Sequence, residues 1–168
     1  MAFIPSRVFI HYLEQLHRLL KNIENQCSDE ASLLKTGLAD SMFPLAQQAR
    51  TTIGFSLRTC CPLAGLDIVS FDSQETTFLS LQSDLLKTLD FLRSIPADSF
   101  AGYQDLQITT RAGFADHEMT GEDYLQLYAL PNFFFHLSMV YAIARKQGIT
   151  LSKGDFDGFH QYPEGFSF

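Results

Sequence analysis

Asn132 and His136 are the residues in this chain whose types and spacing point most directly to chemistry. They lie four apart in the stretch from Thr120 to Gly148, whose hydrophobic period is helical, so both side chains share one face, one turn from each other. Leu125, Ala129, Asn132, His136, Met139 and Ile143 step by alternating fours and threes, the seam of a helix packed in a bundle. An amide and an imidazole therefore stand where burial is expected. Two imidazoles at this spacing would be a metal pair, completed by one or two ligands from a facing helix. Only one is present, and a neutral amide oxygen donates poorly to zinc or nickel and better to hard cations.

The element carrying these residues has recognisable ends. Thr120 with Asp123 three residues on resembles a capping box, while Arg145, Lys146 and Gly148 make a C-terminal end. Pro131 lies inside the pattern, lacks an N–H and presses on the carbonyl of Leu127, so a kink or disturbed turn is expected beside Asn132.

Three more long helices are expected ahead of it. From Pro5 to about Cys27, Phe9, Leu13, Leu16, Leu20 and Ile23 recur at helical spacing, with Tyr12 on the border of the stripe. Ser28 to Leu38 reads as a cap, a short helical turn and a glycine stop. Asp40 can cap a second long helix running from near Met42 to Cys61; its faces carry Met42, Leu45, Ala49, Ile53 and Cys60, and a more polar row of Leu45, Gln48, Thr52 and Phe55. Asp72 with Glu75 marks the start of a third, with Phe78, Leu81, Leu85, Leu89 and Leu92 as its stripe up to Ser94 before Ile95-Pro96. Between Ala97 and Met119 the period changes to alternation, which predicts a short hairpin leading into the last long helix. After Gly148 the glycine-rich sequence reads as an extended tail, 150–168, with Phe156, Phe159, Phe166 and Phe168 available for packing. The sum is a single all-α domain over 1–168, a four-helix bundle with a hairpin between the third and fourth long helices.

Composition narrows the function classes. A net charge of -7 without any basic run opposes nucleic acid and anionic membrane surfaces. Cys27, Cys60 and Cys61 fit neither a disulfide framework nor a metal knuckle and read as reduced thiols. The N-terminus lacks the basic and apolar regions of a signal peptide, and Gln126, Pro131, Asn132 and His136 interrupt the one apolar stretch that raises a membrane span, so the cytoplasm is expected. His11, His17 and His117 read as flanking or solvated histidines. Phosphate loop, nucleophile elbow and H-E-x-x-H motif are all missing from the sequence.

The segments M-F-P-L-A-Q-Q at Met42 to Gln48, T-L-D-F-L at Thr88 to Leu92, A-L-P-N-F-F-F-H at Ala129 to His136, and G-D-F-D-G near the end span nearly the whole chain. With the order of helices, they resemble the DinB-like superfamily of four-helix bundles, and more closely a branch of it known as a domain of unknown function. The resemblance implies a site where three histidines hold a metal, one on the second helix and two from an H-x-x-x-H. By position His136 matches the last of these and Asn132 the middle one, while Gln48 stands for the second-helix position with Gln47 as the competing register. Two of three ligands have thus become amides.

Three expectations follow: a cytoplasmic protein with a small-molecule pocket formed by Gln48, Asn132 and His136 and lined by Tyr12, Thr52 and Tyr128; a metal-dependent enzyme of thiol-transferase or hydrolase type, holding zinc, nickel or manganese through His136; or a structural or interaction protein in which Asn132 and His136 satisfy each other. The Phe-rich tail and the habit of similar bundles imply a homodimer.

Overall fold

The computed structural model describes residues 3–163, and its long elements follow the hydrophobic periods. Helix α1 spans Ser6–Gln26 and buries Phe9, Leu13, Leu16, Leu20 and Ile23. A short helix α2, Glu30–Leu34, starts on the Asp29 carboxylate, which accepts the Ser32 N–H. Helix α3 is Leu45–Leu63 and α4 is Phe78–Ser94. The hairpin pairs β1, Gln107–Ala112, antiparallel with β2, Ala115–Thr120. Gly113 at its tip has φ 61°, which suits the first central position of a two-residue turn. A single turn α5, Gly121–Asp123, a π-helical stretch Tyr124–Ala129 and helix α6, Leu130–Lys146, then run on continuously, and α7, Lys153–Asp157, closes the described chain.

Helix α3 packs against α6 and α4, and α1 against α4, α7 and α3, which gives the four-helix bundle. At its centre Phe9 meets Phe133 edge-on at 5.0 Å, a pairing worth about 1 kcal/mol beyond the area it buries. Gly121 is fixed by a close approach: a Cβ there would lie 1.9 Å from the Tyr103 carbonyl, so the hairpin can enter the last helix only through glycine.

Several boundaries differ from expectation. Helix α3 begins at Leu45 behind Pro44 rather than near Met42, and Asp40 is exposed and caps nothing. Its far end passes through Pro62 to Leu63. Helix α4 is capped by Thr77, whose side chain accepts from Ser80 in a reciprocal box, so Asp72 is left in the preceding loop. Thr120 realises half of its box, accepting the Asp123 N–H at 3.1 Å.

The tail expected to be extended instead forms α7. Ser152 and Asp155 cap it reciprocally and Gly158 ends it at φ 76°. Phe156 packs beside Tyr12 and Tyr141, and Phe159 stacks on His11 at 4.8 Å, so these two rings close the protein's own bundle. Phe166 and Phe168 lie outside the described residues.

The larger correction concerns the seam of α6. Its buried residues are Phe133, Leu137, Val140, Ile143 and Ala144, whereas Asn132, His136 and Met139 are half-buried along its flank. Pro131 has no N–H to return, and the turns before it take the wider π-helical spacing. A wider turn shifts phase, so Leu125 and Ala129 are followed inward by Phe133 rather than Asn132. The disturbed turn expected from Pro131 is present, and it swings the polar pair from core to rim.

Candidate functional site

Gln48 and His136 meet across the α3–α6 interface. The Gln48 Nε2 donates to the Phe43 carbonyl at 3.1 Å, and a carbonyl can only accept, so this bond orients the amide with Oε1 toward α6. Oε1 then accepts from His136 Nδ1–H at 2.7 Å, which sets the tautomer with a lone pair on Nε2. Gln48 is 1% exposed. Gln47, the competing register, instead bonds Thr51 one turn along its own helix at 3.2 Å.

Aromatic rings surround the imidazole. Phe55 and Phe43 lie near-parallel to it at 5.8 Å and 6.2 Å, and Phe135 meets it edge-on at 5.2 Å. Burial among them disfavours the imidazolium and lowers the His136 pKa below the usual histidine value. At neutral pH the ring is therefore a neutral base. No described residue bonds Nε2, and Phe43 and Phe135, each about half exposed, form an aromatic rim beside the ring.

The remaining predicted residues divide. Asn132 shares the flank of α6, but its amide donates to the Tyr128 carbonyl at 2.7 Å rather than to His136. That bond caps a carbonyl in the π-helical stretch, so Asn132 helps hold the wide turn closed. Tyr128 is half-buried and reaches the site through Phe55, 5.9 Å away. Thr52 is fully buried and spends its hydroxyl on the Gln48 carbonyl at 2.9 Å. Tyr12 does not join them: it packs edge-on against Phe134 at 4.7 Å and beside His11, in a separate aromatic cluster among α1, α6 and α7.

The donor set does not fit the metal implied by the resemblance. Gln48 Oε1 is taken by the imidazole N–H, an orienting role, which leaves His136 Nε2 as a lone nitrogen ligand. Among the described residues there is no group of three His, Cys, Asp or Glu placed to hold a metal ion. Cys60 and Cys61 are free and buried, and burial raises both thiols, Cys60 well above its ordinary value, which disfavours the thiolate at neutral pH.

Two residues of the site escaped sequence reasoning. Phe43 stands just outside the expected stripe, and Phe55 falls in the polar row with nothing in the period to mark it as a ring beside His136. The available signal was the run Phe43, Gln48, Phe55, which puts an aromatic on either side of the amide.

A profile for a domain of unknown function, DUF1993, matches residues 4–157. The fold is similar to the crystal structure of a DinB family member protein from Shewanella denitrificans, with a TM-score of 0.76 and 24% sequence identity over 95% of this chain and 96% of that one. No curated protein matches the chain significantly. With the profile covering nearly its full length, the chain belongs to the DUF1993 family, and it shares its fold with that DinB family member.

Proposed function

We propose that the protein is a cytoplasmic, metal-independent binder of a small molecule, which offers an N–H or O–H donor to His136 Nε2 and a flat apolar body to the aromatic rim. One observation carries this reading: the Gln48 bond fixes His136 as a neutral acceptor, with Nε2 unpartnered among the described residues beside Phe43 and Phe135. A polar group kept at such a position without an internal partner favours an occupant. A neutral donor such as a phenol suits it better than a carboxylate, because the lone pair repels an anion.

The test uses untagged protein and phenol as the probe, following the ring nitrogens of His136 by NMR. A saturable shift of Nε2, lost in His136→Phe, is expected. Stoichiometric zinc, nickel or manganese that disappears with the same substitution would replace this reading with the metal-dependent enzyme. An unresponsive Nε2 would leave the pair a structural device.

The same flank supports a second element of the proposal, a homodimer. Only 33% of the most apolar stretch of the helix Gly121–Lys146 is buried, and Leu127, 73% exposed, stands two turns from Phe135 on its outer side. A second copy would cover this apolar row, as exposed apolar faces of soluble bundles require. Light scattering should give a dimer mass that falls to the monomer in Leu127→Glu with Phe135→Glu; a monomeric parent protein would overturn it.

A further inference from the structure

Two residues beyond Gln48 on α3, and so on the opposite side of the helix, Arg50 reaches the long loop that precedes α4. Its Nε lies 3.2 Å from Asp72 Oδ1, an ion pair without hydrogen-bond alignment, and its Nη2 donates to the Glu75 carbonyl. Asp84 of α4 holds the same loop from below. One oxygen, Oδ2, accepts both the backbone N–H and the hydroxyl of Ser73 at 2.9 Å. The other, Oδ1, is buried and has no hydrogen-bond partner, in a side chain whose residue is only 3% exposed.

Between these groups lies a cleft of about 80 Å³, with Arg50, Asp72 and Asp84 on its polar side and Ile53, Leu57 and Phe71 on its apolar side. Arg50 and Asp72 cancel each other, and among the described residues Asp84 has no ion pair, so the cleft carries one uncompensated negative charge. Removing a carboxylate from water and leaving one oxygen without a donor is costly, so the complementary occupant is a compact cation. An ammonium supplies three donors from one point. The apolar wall asks for a short hydrocarbon attached to it, and the Phe71 ring can lie against the charge. A cavity of about 150 Å³ takes benzene. One of about 80 Å³ therefore takes a body of roughly three or four heavy atoms.

We propose that this cleft binds a small primary alkylammonium, with its N–H donated to Asp84 Oδ1 and its alkyl chain against Ile53, Leu57 and Phe71. The site is independent of His136.

The full chain is titrated with propylammonium chloride, following the Asp84 carboxyl carbon by NMR and the thermal midpoint. Sodium and potassium chloride at equal ionic strength and propanol serve as comparison ligands. Saturable binding with a dissociation constant on the order of 1 mM is expected, since so small a ligand has few atoms to contribute. Propanol should bind at least tenfold more weakly, and Asp84→Asn should lose about as much.

Gly54→Leu provides a second variant that leaves every charge in place. Gly54 lines the cleft, and a Cβ there meets nothing within 4 Å, so the larger side chain fills the space from the α3 wall without displacing backbone. Binding should vanish while the protein stays folded. An equal response to sodium or potassium would make this an alkali-ion site and overturn the proposal. So would unsaturable propylammonium, or unchanged binding in Gly54→Leu.

Discussion

Gln48 and Arg50 leave the same helix two residues apart, yet they solve the problem of a polar group near a core in opposite ways. On the α6 side the solution is neutral: an amide oriented by one carbonyl holds one imidazole, and burial keeps that imidazole uncharged. On the α4 side it is ionic: Arg50, Asp72 and Asp84 share a loop, and the bonds they make leave one carboxylate oxygen over. The neutral pair is held by two hydrogen bonds and leaves over an uncharged ring nitrogen at the rim. Asp84 ties the loop to α4 through two charge-assisted bonds, which are stronger than neutral ones, so the ionic cluster is where loss of one member should cost most.

Asp84→Ala gives the largest of these effects. It strips two bonds made to a charged acceptor and frees the loop at Ser73, so a loss of about 2–3 kcal/mol in denaturant unfolding is expected. Gln48→Leu keeps the volume but leaves the imidazole N–H without its acceptor, at a cost of about 1–2 kcal/mol. Its sharper readout is the ring itself, because NMR should show both neutral tautomers of His136 where the parent protein has one. Should Gln48→Leu prove the costlier of the two, the neutral pair and not the ionic cluster would be the stricter constraint on this helix.

The two sites were unequally legible. Periodicity placed Gln48 in a row with Thr52 and Phe55 and put Asn132 on one face with His136, and the family resemblance set those two rows against each other. The four long helices followed from periodicity too. The seam of α6 was misjudged by one residue because hydrophobic spacing assumes a constant turn, and Pro131 is preceded by wider ones. Two helix starts, those of α3 and α4, were harder still. A capping pattern such as Asp72 with Glu75 is local, while Arg50, distant in sequence, claims Asp72 for an ion pair. Asp84 carries its signal in the sequence: it lies three residues after Leu81 and four before Thr88, inside the apolar arc of α4, where an acidic residue calls for an explanation.

Acidification offers the finest separation of the two sites, with the smallest effect on stability. Burial lowers the His136 pKa, so the folded protein binds a proton less readily there than the unfolded chain, whose histidine titrates near the ordinary value of 6.5. The stability contributed by a neutral His136 is then fully present above that value. It is lost as pH falls from there through the folded value, because protonation is easier once the chain unfolds. His17 shifts in the same direction, through burial and the nearby Lys21, so the parent protein sums both. Subtracting the profile of His136→Phe leaves His17 in common and isolates the neutral site. The difference between parent and variant should be flat above neutrality and decline with acid below about 6.5. A difference that grew with acid would mean that His136 gains a proton on folding, and the imidazole would belong with the charged cluster rather than opposite it.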